Sequence, residues 1–309
     1  MVGQKFRALM ILGPTASGKT AVSLRLAQKL PIEIVSVDSA LVYRGMDIGT
    51  AKPSKEELAT VPHHLIDIVD IEEPYSAADF REDALRLIEE ISSRGKFPVI
   101  VGGTMLYAKA LREGIDDLPT TAPEVREAVL SEAGSVGWPA MHEKLQAMDP
   151  ATAKRLNPND SQRIGRAIEV FRMTGQPLSS FHRGDKTPDP TIATVALLPE
   201  NRARLHEAIE KRFDSMLSAD FLGEMRTLMQ RSGFKEDLPS MRAVGYRQAI
   251  DHLMGRTTHE EFRLAGIAAT RQLAKRQITW LRSMPDITTF DPYEVDSEAI
   301  VNELLKIVG

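Results

Sequence analysis

Apolar residues show two spacing patterns along the first hundred residues. Short apolar runs, which are typical of buried strands, alternate with longer segments in which apolar residues recur every three or four positions, as in an amphipathic helix. The runs lie at residues 6–12, 32–37, 65–69 and 98–101. Because strands that alternate with helices usually pair in parallel beneath two helical layers, this region predicts an α/β fold.

Two capping patterns mark the starts of helices. Ser76 is followed three residues later by Asp79, and Thr258 by Glu261, so that side chain and backbone can satisfy each other at a helix N-terminus. The second helix continues to about Arg282, which corresponds to roughly 37 Å at 1.5 Å per residue. It is expected to be the longest helix of the chain.

Between residues 118 and 189 only helical spacing is found. Asp149-Pro150 there supplies an N-cap and a proline at the first helical position. Strand-like runs return at 192–198 and 287–290, separated by helices and followed by a last helix from residue 297. We therefore predict an α/β core, residues 1–117 and 190–309 with long C-terminal helices, and an all-helical insertion domain at 118–189.

Composition narrows the class of protein. Of the 309 residues 42% are hydrophobic and 27% are charged, as in ordinary globular proteins. The longest purely apolar run, residues 8–12, is far shorter than the roughly 20 residues of a membrane span, and the first residues lack the apolar core of a signal peptide. The absence of cysteine excludes disulfides and thiolate metal sites and is compatible with the cytoplasm, the expected location. No membrane association and no obligate protein partner are predicted.

The net charge of −4 argues at first against a nucleic-acid partner, but it is unevenly distributed. Residues 262–285 contain five basic side chains and no acidic one, and residues 154–172 contain five basic side chains against two acidic ones. Such segregation can produce a positive face on an acidic protein. Stripes of this kind are, however, often only the solvated faces of helices.

One motif predicts a phosphate-binding loop between the first strand and the first helix. It matches the pattern G-x-x-x-x-G-K-[ST] and comprises Gly13, Pro14, Thr15, Ala16, Ser17, Gly18, Lys19 and Thr20. Backbone N–H groups would cradle a diphosphate or triphosphate, the lysine would add a positive charge, and Thr20 would offer its hydroxyl to Mg²⁺, directly or through water. This makes the α/β core P-loop NTPase-like, while hydrolysis, phosphoryl transfer and displacement of diphosphate all stay open.

Polar residues also follow two other predicted strands. Asp38 and Ser39 end the second strand, and Gly102-Gly103-Thr104 ends another. In an open parallel sheet these strand ends face the same crevice as the phosphate-binding loop. Asp38 could accept a proton from a nucleophile, hold Mg²⁺ through water, or be an ordinary turn residue. Thr104 could cap the next helix or donate to a phosphate.

Seven segments, in this order along the chain, resemble the bacterial tRNA dimethylallyltransferases, also called tRNA isopentenyltransferases. The runs at 37–53 and 269–282 are more specific than the phosphate-binding loop, which very many proteins share. The matching segments are GPTASGKT (13–20), VDSALVYRGMDIGTAKP (37–53), YSAADFREDA (75–84), VGGTMLYAKAL (101–111), NDSQRIGRAIEVF (159–171), LPSMRAVGYRQ (238–248) and ATRQLAKRQITWLR (269–282).

The resemblance implies transfer of a dimethylallyl group from dimethylallyl diphosphate to N6 of adenine 37, beside the tRNA anticodon. The loop would hold the diphosphate of the prenyl donor, with Mg²⁺ as cofactor. Asp38 would act as general base on the weakly nucleophilic amine, Thr104 would sit near donor and target base, and Arg212 would contact the diphosphate. The alternative for Arg212 is a surface pair with Glu207 or Glu210.

The same resemblance implies that the insertion grips the anticodon stem-loop. A base inside RNA must leave its stack before it can react, so basic and amide side chains are expected on the gripping surfaces. Trp280 could stack on a base but could equally belong to the core. The predicted tRNA-binding residues are Asp38, Ser39, Ala40, Leu41, Thr104, Arg126, Gln162, Arg163, Arg166, Arg242, Arg247, Lys275, Arg276, Gln277 and Arg282.

Three other functions are compatible with parts of the sequence. A small-molecule kinase would explain the loop and Asp38 but not the basic C-terminal helix. A prenyltransferase acting on free adenylates would share the donor site without needing the insertion. A nucleotide-switched RNA-binding protein would bind RNA without forming a covalent product.

Overall fold

The protein is described by a computed structural model that covers residues 6–116, 118–182, 184 and 186–309. Residues 1–5, which belong to the segment predicted to lack a signal peptide, lie outside the described residues. Among the described residues, no helix is both long and apolar enough to cross a membrane.

Strands and helices alternate along the core as the sequence predicts. The strands are β1 (Ala8–Leu12), β2 (Ile32–Val37), β3 (His63–His64), β4 (Phe97–Gly102), β5 (Ile192–Leu197) and β6 (Thr288–Phe290). The helices are α1 (Lys19–Ala27), α2 (Lys55–Thr60), α3 (Ala77–Ser93), α4 (Met105–Glu113), α5 (Pro123–Val136), α6 (Trp138–Met148), α7 (Pro150–Ala153), α8 (Ser161–Thr174), α9 (Arg202–Ser218), α10 (Phe221–Met229), α11 (Tyr246–Leu253), α12 (His259–Ser283) and α13 (Ser297–Val308). The predicted capping boxes at Ser76 and Thr258 are both present.

The strands form one sheet in the order β3-β2-β4-β1-β5-β6, and every pair in it is parallel. One face of the sheet packs on α3 and α4, and the other packs on α1 and α13. Both faces are therefore buried, which explains why the strands read as continuous apolar runs without alternation. The predicted P-loop NTPase-like α/β fold is confirmed.

The third predicted strand is wrong in position. The strand is limited to His63–His64, and residues 65–69 turn away from it. Leu65 and Asp67 have φ angles of 61° and 55°, which is the left-handed region, so the chain cannot stay extended there. A single isolated bridge between Tyr43 and Val69 is the only strand-like pairing described in residues 65–69.

The chain divides into two compact units, the residues up to Glu113 together with Pro188–Gly309, and Gly114–Thr187. The domain boundaries predicted from the sequence lie slightly later, between residues 117 and 118 and between residues 189 and 190. Regular structure within the described part of the second unit is helical, built from α5 to α8 around a small apolar core of its own. Asp149 caps α7 by accepting a hydrogen bond from the Thr152 amide, 3.0 Å away.

The backbones of β4 and β2 approach each other closely where β4 ends at Gly102. A Cβ placed on Gly102 would lie 2.2 Å from the Val37 carbonyl oxygen, and the opposing atoms are backbone that cannot move aside cheaply. Gly102 pairs with Leu12 on one side and with Val37 on the other, so any displacement would be passed to both neighbours.

Gly102→Ala is therefore expected to destabilise the core by roughly 2–4 kcal/mol, because a methyl group would force the two strands apart. Urea unfolding followed by circular dichroism measures this change. Gly134→Ala is the matched control, since its Cβ would meet nothing within 4 Å and alanine is the better helix former by roughly 0.5–1 kcal/mol. Equal stability of Gly102→Ala and the unmodified protein would contradict the argument.

Candidate active site

The phosphate-binding loop connects β1 directly to α1, as predicted. Ala16 and Gly18 adopt left-handed φ angles of 62° and 81°, and Gly18 is the N-cap of α1. A Cβ on Gly13 would lie 2.9 Å from the Leu197 carbonyl oxygen, so the first glycine of the motif is required by close packing against β5. The loop and the helix N-terminus together present backbone N–H groups of the type that binds phosphate.

Lys19 carries the most strongly perturbed charge of the loop. Its Nζ donates a hydrogen bond to the Pro14 carbonyl oxygen at 2.7 Å. Burial, and to a lesser extent the nearby Arg212 guanidinium, lower the pKa of Lys19 to about 7, and the Asp38 carboxylate acts in the opposite direction. A second cation therefore competes with Lys19 for one carboxylate, and an added anion would relieve that competition.

Asp38 and Thr104 follow the ends of the neighbouring strands β2 and β4. Asp38 Oδ1 accepts hydrogen bonds from the amides of Ala40 and Leu41, at 2.8 and 3.4 Å. Thr104 Oγ1 accepts from the Ser39 amide at 2.9 Å and lies 3.2 Å from the Ser39 hydroxyl. In the described part of the chain Asp38 Oδ2 has no hydrogen-bond donor, so this oxygen is available to a ligand.

Arg212 lies beside the same strand ends, within α9. Its Nη2 donates to the Thr50 carbonyl oxygen at 3.1 Å, and burial lowers the pKa of Arg212. The alternative of a surface ion pair is not what the structure shows, because Glu207 pairs with Lys211 and Glu210 pairs with arginines of α12. Arg212 is instead a cation held at the cavity.

These groups open into one cavity of about 530 Å³. One part of its wall is polar, and the rest is built from aliphatic, aromatic and methionine side chains of α4, α9 and α12. A charged group and an apolar chain could thus be held side by side. The predicted site residues that line it are Thr15, Ala16, Lys19, Thr20, Asp38, Ser39, Ala40, Leu41, Thr104, Arg212, Arg242, Arg276 and Gln277.

The environment of the Gln277 side chain differs from that expected of a tRNA contact. Its side chain is buried, with Oε1 accepting from the Thr15 amide at 2.9 Å and Nε2 donating to the Gly103 carbonyl oxygen at 2.8 Å. Both ends of the amide are used within the chain. Gln277 therefore ties the phosphate-binding loop to the end of β4 and acts on the site by positioning backbone.

Of the remaining predicted tRNA contacts in the core unit, all three are exposed and none lines the cavity: Arg247, Lys275 and Arg282. Trp280 lines the cavity and is 37% exposed, with Lys109 Nζ 5.9 Å from its ring centroid. The ring is therefore accessible, as stacking on a base would require.

Within the helical unit the predicted tRNA contacts differ in side-chain exposure and in the bonds they make within the chain. The Arg163 side chain is 72% exposed and makes one ion pair with Asp160, at 3.2 Å. Arg126 is also exposed and lies 3.6 Å from Glu169, and Gln162 is exposed. Arg166 is half-buried and donates to the Pro119 carbonyl and the Thr121 hydroxyl, so much of its guanidinium is used to hold the start of the unit.

Glu224 is a residue that sequence reasoning misses. Its carboxylate accepts from three successive amides, Asp47, Ile48 and Gly49, at 2.8, 2.6 and 3.1 Å, and from the Tyr246 hydroxyl at 2.5 Å. The segment it holds supplies residues 49–51 and 53 of the cavity wall. A glutamate within a helix carries no signal of such a role, because the amides it binds belong to a loop 175 residues away.

The shifted pKa of Lys19 predicts how affinity for a diphosphate depends on pH. A bound diphosphate raises the pKa from about 7, so binding above pH 7 takes up a proton and weakens as pH rises, by up to about tenfold per pH unit. Calorimetry with inorganic diphosphate and EDTA, from pH 7 to 8.5, measures the slope. Lys19→Arg stays protonated and controls for ionisation of the ligand itself. Equal slopes for the two proteins would refute the assignment.

Comparison with known proteins agrees with this geometry. A family model described as IPP transferase matches residues 41–284. A tRNA dimethylallyltransferase of Burkholderia cenocepacia (strain HI2424) is 56% identical over 303 residues, which cover 96% of this chain and 94% of that protein.

Two solved structures are also similar. The full-length tRNA isopentenylpyrophosphate transferase from Bacillus halodurans is 37% identical, with a TM-score of 0.70, and the match covers 97% of this chain and 96% of that one. A eukaryotic dimethylallyltransferase, described as acting on tRNA, is 27% identical, with a TM-score of 0.81 over 97% of this chain and 79% of that one. As its motifs predict, the chain belongs to the IPP transferase family of enzymes.

Proposed function

We propose that this protein transfers the dimethylallyl group of dimethylallyl diphosphate to N6 of adenine 37 in tRNA, and that it does so in the cytoplasm. The observation that carries the proposal is that the phosphate-binding loop and the Asp38–Thr104 pair open into one cavity, in a chain of the IPP transferase family. Its relatives are named tRNA dimethylallyltransferases, and one similar solved enzyme is described as acting on tRNA.

The leaving group is the first half of the chemistry. When the bond between the allylic carbon and the bridging oxygen breaks, negative charge moves onto the diphosphate. The loop amides, Lys19 and Arg212 stand where they would stabilise that charge as it develops. The apolar part of the cavity wall, which includes Leu106 and Met216, suits the prenyl chain.

The acceptor amine is the second half. The lone pair of an exocyclic adenine amine is delocalised into the ring, so loss of an N6 proton must accompany formation of the new C–N bond. Asp38 Oδ2 is the candidate acceptor of that proton, because Oδ1 is already held by two backbone amides. Thr104 fixes the backbone of Ser39 beside it and thereby the position of the carboxylate.

Mg²⁺ fits the polar part of the cavity as a cofactor that arrives with the diphosphate. Thr20 and Ser36 line the cavity, and the buried Ser36 hydroxyl has no hydrogen-bond partner, which suits a site completed by water. No group of three or more His, Cys, Asp or Glu in the described residues could hold a metal ion. Thr20 would therefore hold Mg²⁺ together with phosphate and water oxygens. Bound there, the ion would neutralise diphosphate charge.

The proposal of a tRNA partner is supported by exposed basic and amide side chains in each of the two units. Arg242 and Arg276 line the cavity and are exposed, so they could contact phosphates of an RNA whose base enters it. On the helical unit Arg163, Gln162 and Arg126 are the accessible members of the predicted set. Such contacts would position RNA through its backbone, and base contacts would specify it.

Asp38→Asn tests the proposed base. Asparagine still accepts the amide hydrogen bonds but cannot take a proton at neutral pH, so we expect a loss of about 10²- to 10⁴-fold in the rate of transfer. The assay mixes the protein, Mg²⁺, labelled dimethylallyl diphosphate and unmodified tRNA containing A37. Saturable binding of inorganic diphosphate by the variant separates lost chemistry from lost folding.

Label in tRNA at full rate with Asp38→Asn would keep the transferase and discard Asp38 as base. Label in free AMP or ADP in preference to tRNA would indicate a free-adenylate prenyltransferase. Consumption of ATP without label in tRNA would indicate a kinase.

Substitution of two arginines of α8 distinguishes an effect on RNA binding from an effect on stability. Arg163→Ala removes an exposed cation, so we expect tRNA affinity to fall a few-fold, with a weaker dependence on salt and unchanged melting. Arg166→Ala removes bonds to Pro119 and Thr121, so we expect destabilisation of about 1–2 kcal/mol. Filter binding across a salt series and thermal melting measure both. An Arg163→Ala protein with unaltered affinity and salt dependence would exclude it from the interface.

A further inference from the structure

A second cavity, of about 600 Å³, lies at the edge of the sheet opposite the candidate active site. Its wall is built from the start of β5, the end of α4, residues 188–190 and part of α13. The active-site groups follow the carboxyl ends of β1, β2 and β4, whereas this cavity adjoins the amino-terminal ends of β5 and β6. Its wall shares no residue with the wall of the active-site cavity.

The cavity contains a buried cation that is only partly satisfied. Arg112 is 4% exposed, and its Nη2 donates to the Pro285 carbonyl oxygen at 2.9 Å. Its Nη1 is buried and has no hydrogen-bond partner. Glu113 and Asp286 are near enough to act on the charge, but neither is hydrogen-bonded to the guanidinium in the described part of the chain. A buried donor left in this state costs stability unless a ligand or water meets it.

A second unsatisfied group lies on the neighbouring strand. Thr194 is 6% exposed, and its Oγ1 is buried without a partner. β6 pairs with β5 only from Val195 onward, so among the described residues no strand covers that side of Thr194. The Thr194 hydroxyl and Arg112 Nη1 are thus two buried, unsatisfied donors on residues that line one cavity.

The remaining charges limit what the cavity can hold. Asp189 is paired with Arg7 at 2.6 Å, and Lys306 is paired with Glu303 at 2.6 Å. Arg112 is left as the one lining cation without an ion-pair partner among the described residues, and Asp286 partly offsets its charge. Because Asp189 is already paired, a single unpaired cation faces a single unpaired carboxylate in the described part of the wall, so one negative charge on a ligand is tolerated far better than two. The rest of the wall is mostly apolar and includes Phe6, Ile192, Val195 and Ile307.

We propose that this cavity is a second ligand site, which binds a small organic monocarboxylate. The carboxylate accepts hydrogen bonds from Arg112 Nη1 and Thr194 Oγ1, and an apolar body packs against the aliphatic and aromatic wall. A charge-assisted bond of this kind is among the stronger polar interactions in a protein. The site adjoins the two segments that lead into the helical unit, since the Asp189 amide donates to the Arg112 carbonyl oxygen at 2.7 Å.

Saturation-transfer NMR with benzoate on the full chain tests the proposal. Inorganic diphosphate is present at saturation so that the phosphate-binding loop is occupied, and benzamide serves as the neutral ligand of the same shape. We expect saturable binding of benzoate and none of benzamide. Thr194→Val, which replaces only the hydroxyl, should weaken benzoate about tenfold. Thr227→Val, an exposed helix position, is the matched control and should change nothing.

Arg112→Leu should abolish benzoate binding without unfolding the core, because an apolar side chain replaces an incompletely paired buried charge. Circular dichroism verifies folding, and if this variant does not fold, Thr194→Val and benzamide decide the question. The proposal is overturned if benzoate gives no saturable signal in the presence of diphosphate, or if benzamide gives a signal equal to that of benzoate. It is also overturned if either cavity variant binds benzoate as tightly as the unmodified chain.

Discussion

The carbonyl group of Val37 is the point on which the candidate active site depends. It accepts hydrogen bonds from the amides of Gly103 and Thr104, at 3.1 and 3.0 Å, and lies so close to Gly102 that no side chain fits between them. β2 and β4 therefore end together, and β1 ends beside Gly102 on the other side. This shared ending places Asp38, Thr104 and the phosphate-binding loop at one edge of the sheet.

Electrostatics then give that edge its preference for anions. Lys19 and Arg212 are brought together around Asp38, and the pKa of each cation is lowered by burial. A site with two partly desolvated cations and one carboxylate lacks negative charge, which the diphosphate of the proposed donor would supply. In the proposed reaction the diphosphate would take over the pairing of the cations and leave the Asp38 carboxylate free to interact with the amine.

Local signals in the sequence predict most of the fold and many of the residues that line the candidate active site. Most strand runs, the two capping boxes and the position of the phosphate-binding motif between β1 and α1 depend on neighbours a few residues apart, and these structural predictions are confirmed. The third strand fails because two non-glycine residues, Leu65 and Asp67, adopt left-handed φ angles that no apolar run reveals. The role of Gln277 fails for a related reason, since its partners lie 262 and 174 residues away and its position in a basic helix suggests a surface.

Gln277 and Glu224 show why the supporting residues of a loop-built site escape sequence reasoning. The loops at 13–18 and 47–49 have backbone N–H groups that neither helix nor sheet satisfies, and a buried donor must find an acceptor. Helices distant in sequence provide one: the Gln277 amide for the first loop and the Glu224 carboxylate for the second. Because such acceptors bind backbone N–H groups, their residue type follows from the acceptor that the loop lacks. The chemistry of the reaction alone would not identify them, yet the geometry in which Lys19 and Asp38 meet a ligand depends on both.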